Sequence, residues 1–196
     1  RDRTKIIRNI GCMNGMITTT KYENLDEVMK RIHAFKVTGV VEQTTCKESY
    51  TIGTGDKRVA LLDYGAKANI AKSLVKRGCQ VTVYPASTPA SVILKEKYDG
   101  IMLSNGPGDP EENVQIIEEI KLLASSQTPI FAICLGHQLM ALAHGFKTEK
   151  MKYGHHGANH PVKDLETGRV YISTQNHNFV IKEDSIDLSL IHISEP

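Results

Sequence analysis

The feature that most constrains the fold is an alternation that begins at Arg58. Short apolar strands are expected at Val59–Asp63, Gln80–Tyr84, Ile101–Ser104 and Pro129–Ile133. Between them the spacing of apolar residues predicts helices over Ala68–Arg77, Glu112–Ala124 and Gly136–Ala143. Buried strands separated by amphipathic helices imply an α/β fold, a mostly parallel central sheet with helices on both faces. Ligands on such sheets bind beyond the carboxyl ends of the strands. Two segments in that position stand out: Asn105-Gly106-Pro107-Gly108-Asp109-Pro110 and Cys134-Leu135-Gly136-His137-Gln138.

Residues 1–52 read differently, as part of a smaller domain. Thr4–Asn9 looks like the end of a helix, Gly11–Gly15 a turn and Met16–Thr19 a short strand. Asn24–His33 reads as an amphipathic helix with Leu25, Val28, Met29 and Ile32 on one face. Asn24 followed by Glu27 makes a capping-box-like start. The polar stretch Glu48–Lys57 reads as a linker, its core at 53–57, and the α/β domain as 58–187. Gly53-x-Gly55 is no dinucleotide loop, because the third glycine is missing and the loop precedes a strand.

Composition excludes several classes. A net charge of +2 over 196 residues gives no nucleic-acid footprint. No apolar run approaches the roughly 20 residues of a membrane span. Arg1-Asp2-Arg3-Thr4 is no signal peptide, and the chain is expected to start inside a longer protein. The four cysteines are scattered, with no C-x-x-C pair, so a cytoplasmic protein with free thiols is expected.

Cys134 follows a strand and precedes a helix, with Ala132 and Gly136 two residues to either side. That is the nucleophile-elbow arrangement, with Cys in place of Ser. A helix N-terminus favours the thiolate, and a thiolate can attack an amide carbonyl. A buried structural cysteine fits the same position equally well. Cys12, Cys46 and Cys79 lack this context and read as inert. In Asn105–Pro110, two glycines let backbone N–H groups approach a ligand, as an oxyanion hole requires, although a plain turn also fits.

These two loops together resemble the class I glutamine amidotransferase family. Within it, three further segments resemble the carbamoyl-phosphate synthase small-chain family: Asp63-Tyr64-Gly65-Ala66-Lys67-Ala68-Asn69-Ile70, Lys150–Val162 and Gln175-Asn176-His177-Asn178-Phe179. The resemblance covers residues 1 to about 187, with Asn14-Gly15 similar to the end of that family's own N-terminal domain. It implies a class I glutamine amidotransferase-like fold, truncated at the C-terminus and preceded by part of a small N-terminal domain. It implies Cys134 as nucleophile, Gly106 and Leu135 as oxyanion donors, and Gly106, Gly108, Leu135, Gln138, Asn176, Asn178 and Phe179 as the glutamine-binding set. Where the family has Gly, this chain has Asn178; if the position needs a positive φ, Asn is the next most tolerant residue.

The implied activity is glutamine hydrolysis. The ammonia passes to a carbamoyl-phosphate synthase large subunit, which makes carbamoyl phosphate from bicarbonate for pyrimidine or arginine biosynthesis. ATP and Mg would bind that partner, since this chain has no G-x-x-x-x-G-K-[ST] loop. An amidotransferase for another acceptor and a non-catalytic glutamine- or partner-binding module are the competing readings, the first disfavoured by Met151–Val162 and the second by Cys134. His155, His156 and His160 match no helix-based zinc motif and are expected to be structural or interfacial, with no metal. His137 is expected to face away from Cys134.

A triad enzyme also needs a base and an orienting carboxylate. The resemblance implies that both lie in a His-Pro-Glu-like segment C-terminal to Asn176–Phe179. None is found in this sequence, so feeble or absent glutaminase activity is expected of the chain alone. The last nine residues, Leu188–Pro196, resemble the translation of a transposon-end sequencing adapter and are expected to be foreign, which removes His192 from consideration.

Overall fold

A computed structural model describes residues 2–11 and 13–186. Cys12, the Leu188–Pro196 tail and His192 lie outside them. In chain order the elements are α1 (Asp2–Ile10), α2 (Leu25–Ala34), α3 (Val40–Thr44), β1 (Tyr50–Ile52), β2 (Lys57–Asp63), α4 (Ala68–Lys76), β3 (Cys79–Pro85), α5 (Ala90–Lys95), β4 (Gly100–Leu103), α6 (Val114–Ala124), β5 (Ile130–Ala132), α7 (Leu135–Ala143), β6 (Thr148–Lys163) and β7 (Val170–Ile181).

The chain divides into two compact units. One gathers residues up to Val37 with Lys150–Asn178, and the other holds Thr38–Glu149 with the described residues from Phe179 on. The first unit leaves off at Val37, whereas residues 1–52 were expected in the smaller domain. Tyr50–Ile52, expected to lie at the edge of a linker, pairs antiparallel with β3 along Val81–Val83, which fixes it in the main sheet.

That sheet has the order β1-β3-β2-β4-β5. β2 runs parallel to both β3 and β4, and β4 runs parallel to β5. Alternate residues feed two cores, as the period of a strand requires. Ala60, Leu62, Ile101 and Leu103 pack with Ile116, Ile120 and Leu123 of α6 and Leu135 and Leu139 of α7. Leu61, Val81, Val83 and Met102 pack on the other face with Ala71 of α4. Both faces are thus covered, as expected. The chain steps from β2 to β3 on one side, then crosses to β4 on the other. Beyond the carboxyl ends of β2 and β4 the loops part, the position where open α/β sheets form a crevice.

In the other unit, α2 starts where expected. The Asn24 side chain accepts hydrogen bonds from the N–H groups of Asp26 and Glu27, capping donors that the helix cannot satisfy itself. The face expected to be apolar is largely open, with Leu25 71% and Met29 47% exposed. Met16–Thr19 forms no strand: it pairs with no neighbour, and Ile17 is fully exposed. β6 and β7 form a separate two-stranded sheet. Their short connection, closed by the Asp164 N–H donating to Arg169 O at 2.8 Å, makes it a hairpin.

Candidate active site

Three loops meet at the carboxyl edge of the main sheet. The first follows β2. Asp63, 8% exposed, accepts hydrogen bonds from the N–H groups of Gly65 (2.9 Å), Ala66 (2.7 Å) and Cys46 (2.8 Å). These bonds hold the turn that leads into Lys67 and α4. The second loop, Asn105–Pro110, is tied to the first. Asn105 Oδ1 accepts from the Lys67 N–H at 3.0 Å. A side chain at Gly106 has no room, because its Cβ would lie 2.1 Å from Tyr64 O. Gly108 has φ +97°, a conformation costly to any other residue.

The third loop is Cys134 itself, with φ 52° and ψ −109°. Among the described residues, Lys97 is the other non-glycine with positive φ. Such a conformation costs on the order of 1–3 kcal/mol and persists where the surroundings impose it. Here they do. The Ile133 N–H donates to Leu103 O at 3.0 Å, carrying the β4–β5 ladder to the residue before Cys134. The Gly136 N–H donates to Ser104 O at 3.0 Å, pinning the residue after the turn to the end of β4. The elbow read from the sequence is present in its backbone geometry.

The thiol is partly buried, and burial pushes its pKa up. The Leu135 N–H, bonded to the sulfur, and the nearby Lys67 ammonium pull the other way without cancelling the burial. Among the described residues no histidine figures in this balance. Burial likewise pushes the pKa of His137 below that of a free imidazole.

The site residues expected from the sequence separate as follows. Cys134, Leu135, Gly106 and Gly108 lie on these converging loops. Gln138, in the first turn of α7, donates through Nε2 to Phe179 O at 2.7 Å, so these two expected residues meet. Asn176 and Asn178 lie on β7 in the other unit, where both Oδ1 atoms face the His156 ring, at 2.9 and 3.1 Å. Asn178 has an ordinary strand φ, so the condition attached to it does not arise. On the opposite hairpin face His155 Nδ1 lies 3.2 Å from His177 Nε2, which also meets Gln175 Oε1 at 3.1 Å. Sequence reasoning passed over Asp63, Ser104 and Lys67 as parts of the site. For Asp63 and Ser104, polar residues at the ends of otherwise apolar strands were the available signal; Lys67, just before α4, offers none.

Comparison with known proteins now bears on this geometry. The model of the family described as "Glutamine amidotransferase class-I" matches residues 60–195. The chain belongs to the class I glutamine amidotransferase family. The matched span takes in residues 188–195, which the sequence reading set apart as a foreign tail. The carbamoyl phosphate synthase small chain of Clostridium perfringens is 43% identical over 194 residues, 99% of this chain and 55% of that protein. The protein of the same description from Pseudomonas syringae pv. tomato is 44% identical over 208 residues, 95% of this chain and 54% of that one. The chain thus spans about half the length of these relatives. A solved glutamine amidotransferase from Thermotoga maritima superimposes with a TM-score of 0.52 at 16% identity, covering 64% of this chain and 62% of that one, which supports the fold. No helix among the described residues is long and apolar enough to cross a membrane.

Proposed function

We propose that this chain is part of the glutaminase subunit of a glutamine-dependent carbamoyl-phosphate synthase. The observation that carries this reading is the strained Cys134 elbow facing the Gly106 loop, in a chain 42–44% identical to carbamoyl phosphate synthase small chains over nearly its whole length. The Cys134 thiolate attacks the side-chain carbonyl of glutamine. A sulfur–carbon bond forms, the carbonyl electrons move to oxygen, and the tetrahedral oxyanion is met by the N–H groups of Gly106 and Leu135. On collapse the carbon–nitrogen bond breaks, the nitrogen taking up a proton to leave as ammonia, and a glutamyl thioester remains that water then hydrolyses.

Gly106 and Gly108 are the glycines whose backbones come close to the substrate, and Gln138 with Phe179 holds its far end. Asn176 and Asn178 complete the glutamine-binding set on family resemblance. The partner is a large synthetase subunit, where ATP and Mg act and where bicarbonate, ammonia and two ATP give carbamoyl phosphate. The chain is placed in the cytoplasm. By itself it is expected to turn glutamine over slowly, since burial disfavours the thiolate and no histidine acts on Cys134 among the described residues.

The test is covalent trapping by an electrophilic glutamine analogue, followed by peptide mass spectrometry. Saturable labelling at Cys134, with Cys12, Cys46 and Cys79 unlabelled, is expected. Labelling spread evenly over the four thiols would reject a glutamine site at Cys134.

A further inference from the structure

Ser104 closes β4 and is fully buried, a polar residue where the apolar strand ends. Its hydroxyl is committed on both sides. Oγ accepts from the Tyr64 N–H at 2.9 Å and donates to Asn105 O at 2.8 Å. Its backbone is equally committed: the Ser104 N–H donates to Leu62 O at 3.2 Å, and Ser104 O accepts from the Gly136 N–H at 3.0 Å. One residue therefore binds the end of β2, its own loop and the turn after Cys134.

The bond to Asn105 O has a geometric consequence. That carbonyl belongs to the peptide unit joining Asn105 to Gly106. A peptide unit is planar and trans, so its C=O and N–H point in opposite directions. A hydroxyl that draws the Asn105 carbonyl toward the interior turns the Gly106 N–H outward, away from the core. Gly106 lacks a Cβ and sits in a loop, so little else in its own covalent structure would hold that plane.

We infer that Ser104 is the positioning residue of the oxyanion hole, setting the direction of the Gly106 N–H through the Asn105–Gly106 peptide plane while its carbonyl anchors the Cys134 turn. This rests on the amidotransferase reading of Cys134 and adds to it a residue that touches neither substrate nor thiol. A hydroxyl is required, because it must accept from one backbone group and donate to another. Alanine can do neither.

The experiment compares two electrophiles on Cys134 in the 196-residue chain. With a chloromethyl ketone analogue of glutamine, the thiolate forms a sulfur–carbon bond, the carbon–chlorine bond breaks, and chloride leaves. The adjacent ketone oxygen gains charge that an oxyanion hole stabilises. Iodoacetamide alkylates the same thiolate, the carbon–iodine bond breaking and iodide leaving, but it has no glutamine side chain to seat in the site and so reports thiol access and thiolate fraction. Loss of one oxyanion donor costs about 10²–10³-fold in acyl transfer; a ketone that develops less charge, facing a donor turned away, is expected to lose about tenfold. Ser104→Ala should therefore lower the limiting chloroketone rate about tenfold, with the iodoacetamide rate within about twofold, since nothing seats the iodoacetamide carbonyl against the Gly106 N–H. Ser104→Thr, which keeps the hydroxyl, should retain the wild-type ratio of the two rates. A Ser104→Ala ratio equal to wild type, or an equal loss in Ser104→Thr, would overturn the inference. A wild-type chain with no saturable chloroketone reaction would instead overturn the amidotransferase reading.

Discussion

Gly136→Ala tests whether the elbow is imposed by the end of β4. A methyl at this position would stand 2.6 Å from Leu103 O and 2.7 Å from Ser104 O. Ordinary carbon–oxygen contacts are about 3.3 Å or longer. The start of α7 must then retreat by roughly 0.7 Å, the shortfall of the nearer contact from that distance. Neither oxygen can swing aside, because each accepts a hydrogen bond, Leu103 O from Ile133 and Ser104 O from Gly136 itself. Overpacking of this kind costs about 1–3 kcal/mol. Alanine recovers up to about 1 kcal/mol of helix propensity. With overpacking at its middle value of about 2 kcal/mol and up to about 1 kcal/mol recovered, the net expectation is a loss of about 1–2 kcal/mol. At roughly 2–4 °C per kcal/mol for a chain of this size, the melting temperature falls by about 2–8 °C. Gly100→Ala is the control: its methyl would meet Pro129 O at an ordinary 3.7 Å, and its φ is not positive. Scanning calorimetry on the two variants decides the matter. If Gly136→Ala melts with wild type and with Gly100→Ala, the steric account of the turn is wrong.

Alkylation of Cys134 requires the thiolate, and burial raises the thiol pKa, so its iodoacetamide rate should rise at higher pH than that of a free cysteine. Lys67 opposes that shift, so Lys67→Met should move the midpoint further up; a midpoint that stays or falls would show that the ammonium does not act on the sulfur. Gln138→Ala removes the 2.7 Å bond to Phe179 O and should cost about 1–3 kcal/mol in urea unfolding. An unchanged urea midpoint would mean that water replaces the bond without loss. Asn24→Ala should destabilise the start of α2 by about 1 kcal/mol. Faster amide exchange at Asp26 and Glu27 would report it, Asn24→Ser should exchange as wild type does, and equal protection in Asn24→Ala would remove the cap from the account.

What the sequence made legible follows from where the determining contacts lie. The strands from Val59, Gln80, Ile101 and Pro129 could be read because each carries its apolar character in its own residues, even at the sheet edge where Phe131 of β5 is 67% exposed. Cys134 could be read because the turn's demand for small neighbours falls on Ala132 and Gly136, two residues away. β1 reads as linker in the sequence because Tyr50-Thr51-Ile52 is short and flanked by polar residues, and only its pairing with Val81–Val83 makes it a strand. The same holds for the hairpin of β6 and β7, whose residues are exposed or only partly buried and whose histidines are expected from the sequence to be structural or interfacial. Their partners, Asn176, Asn178 and His177, are brought to them by the hairpin register, which no spacing within Lys150–Val162 encodes. Asp63 and Ser104 were the harder loss. Each looks like an ordinary strand end, yet the groups they bind include Cys46 for one and Tyr64 and Gly136 for the other, on different loops. A nucleophile announces itself locally because its conformation is local. The residues that aim the surrounding N–H groups belong to the meeting of three loops, and that meeting exists only once β2, β4 and β5 lie side by side.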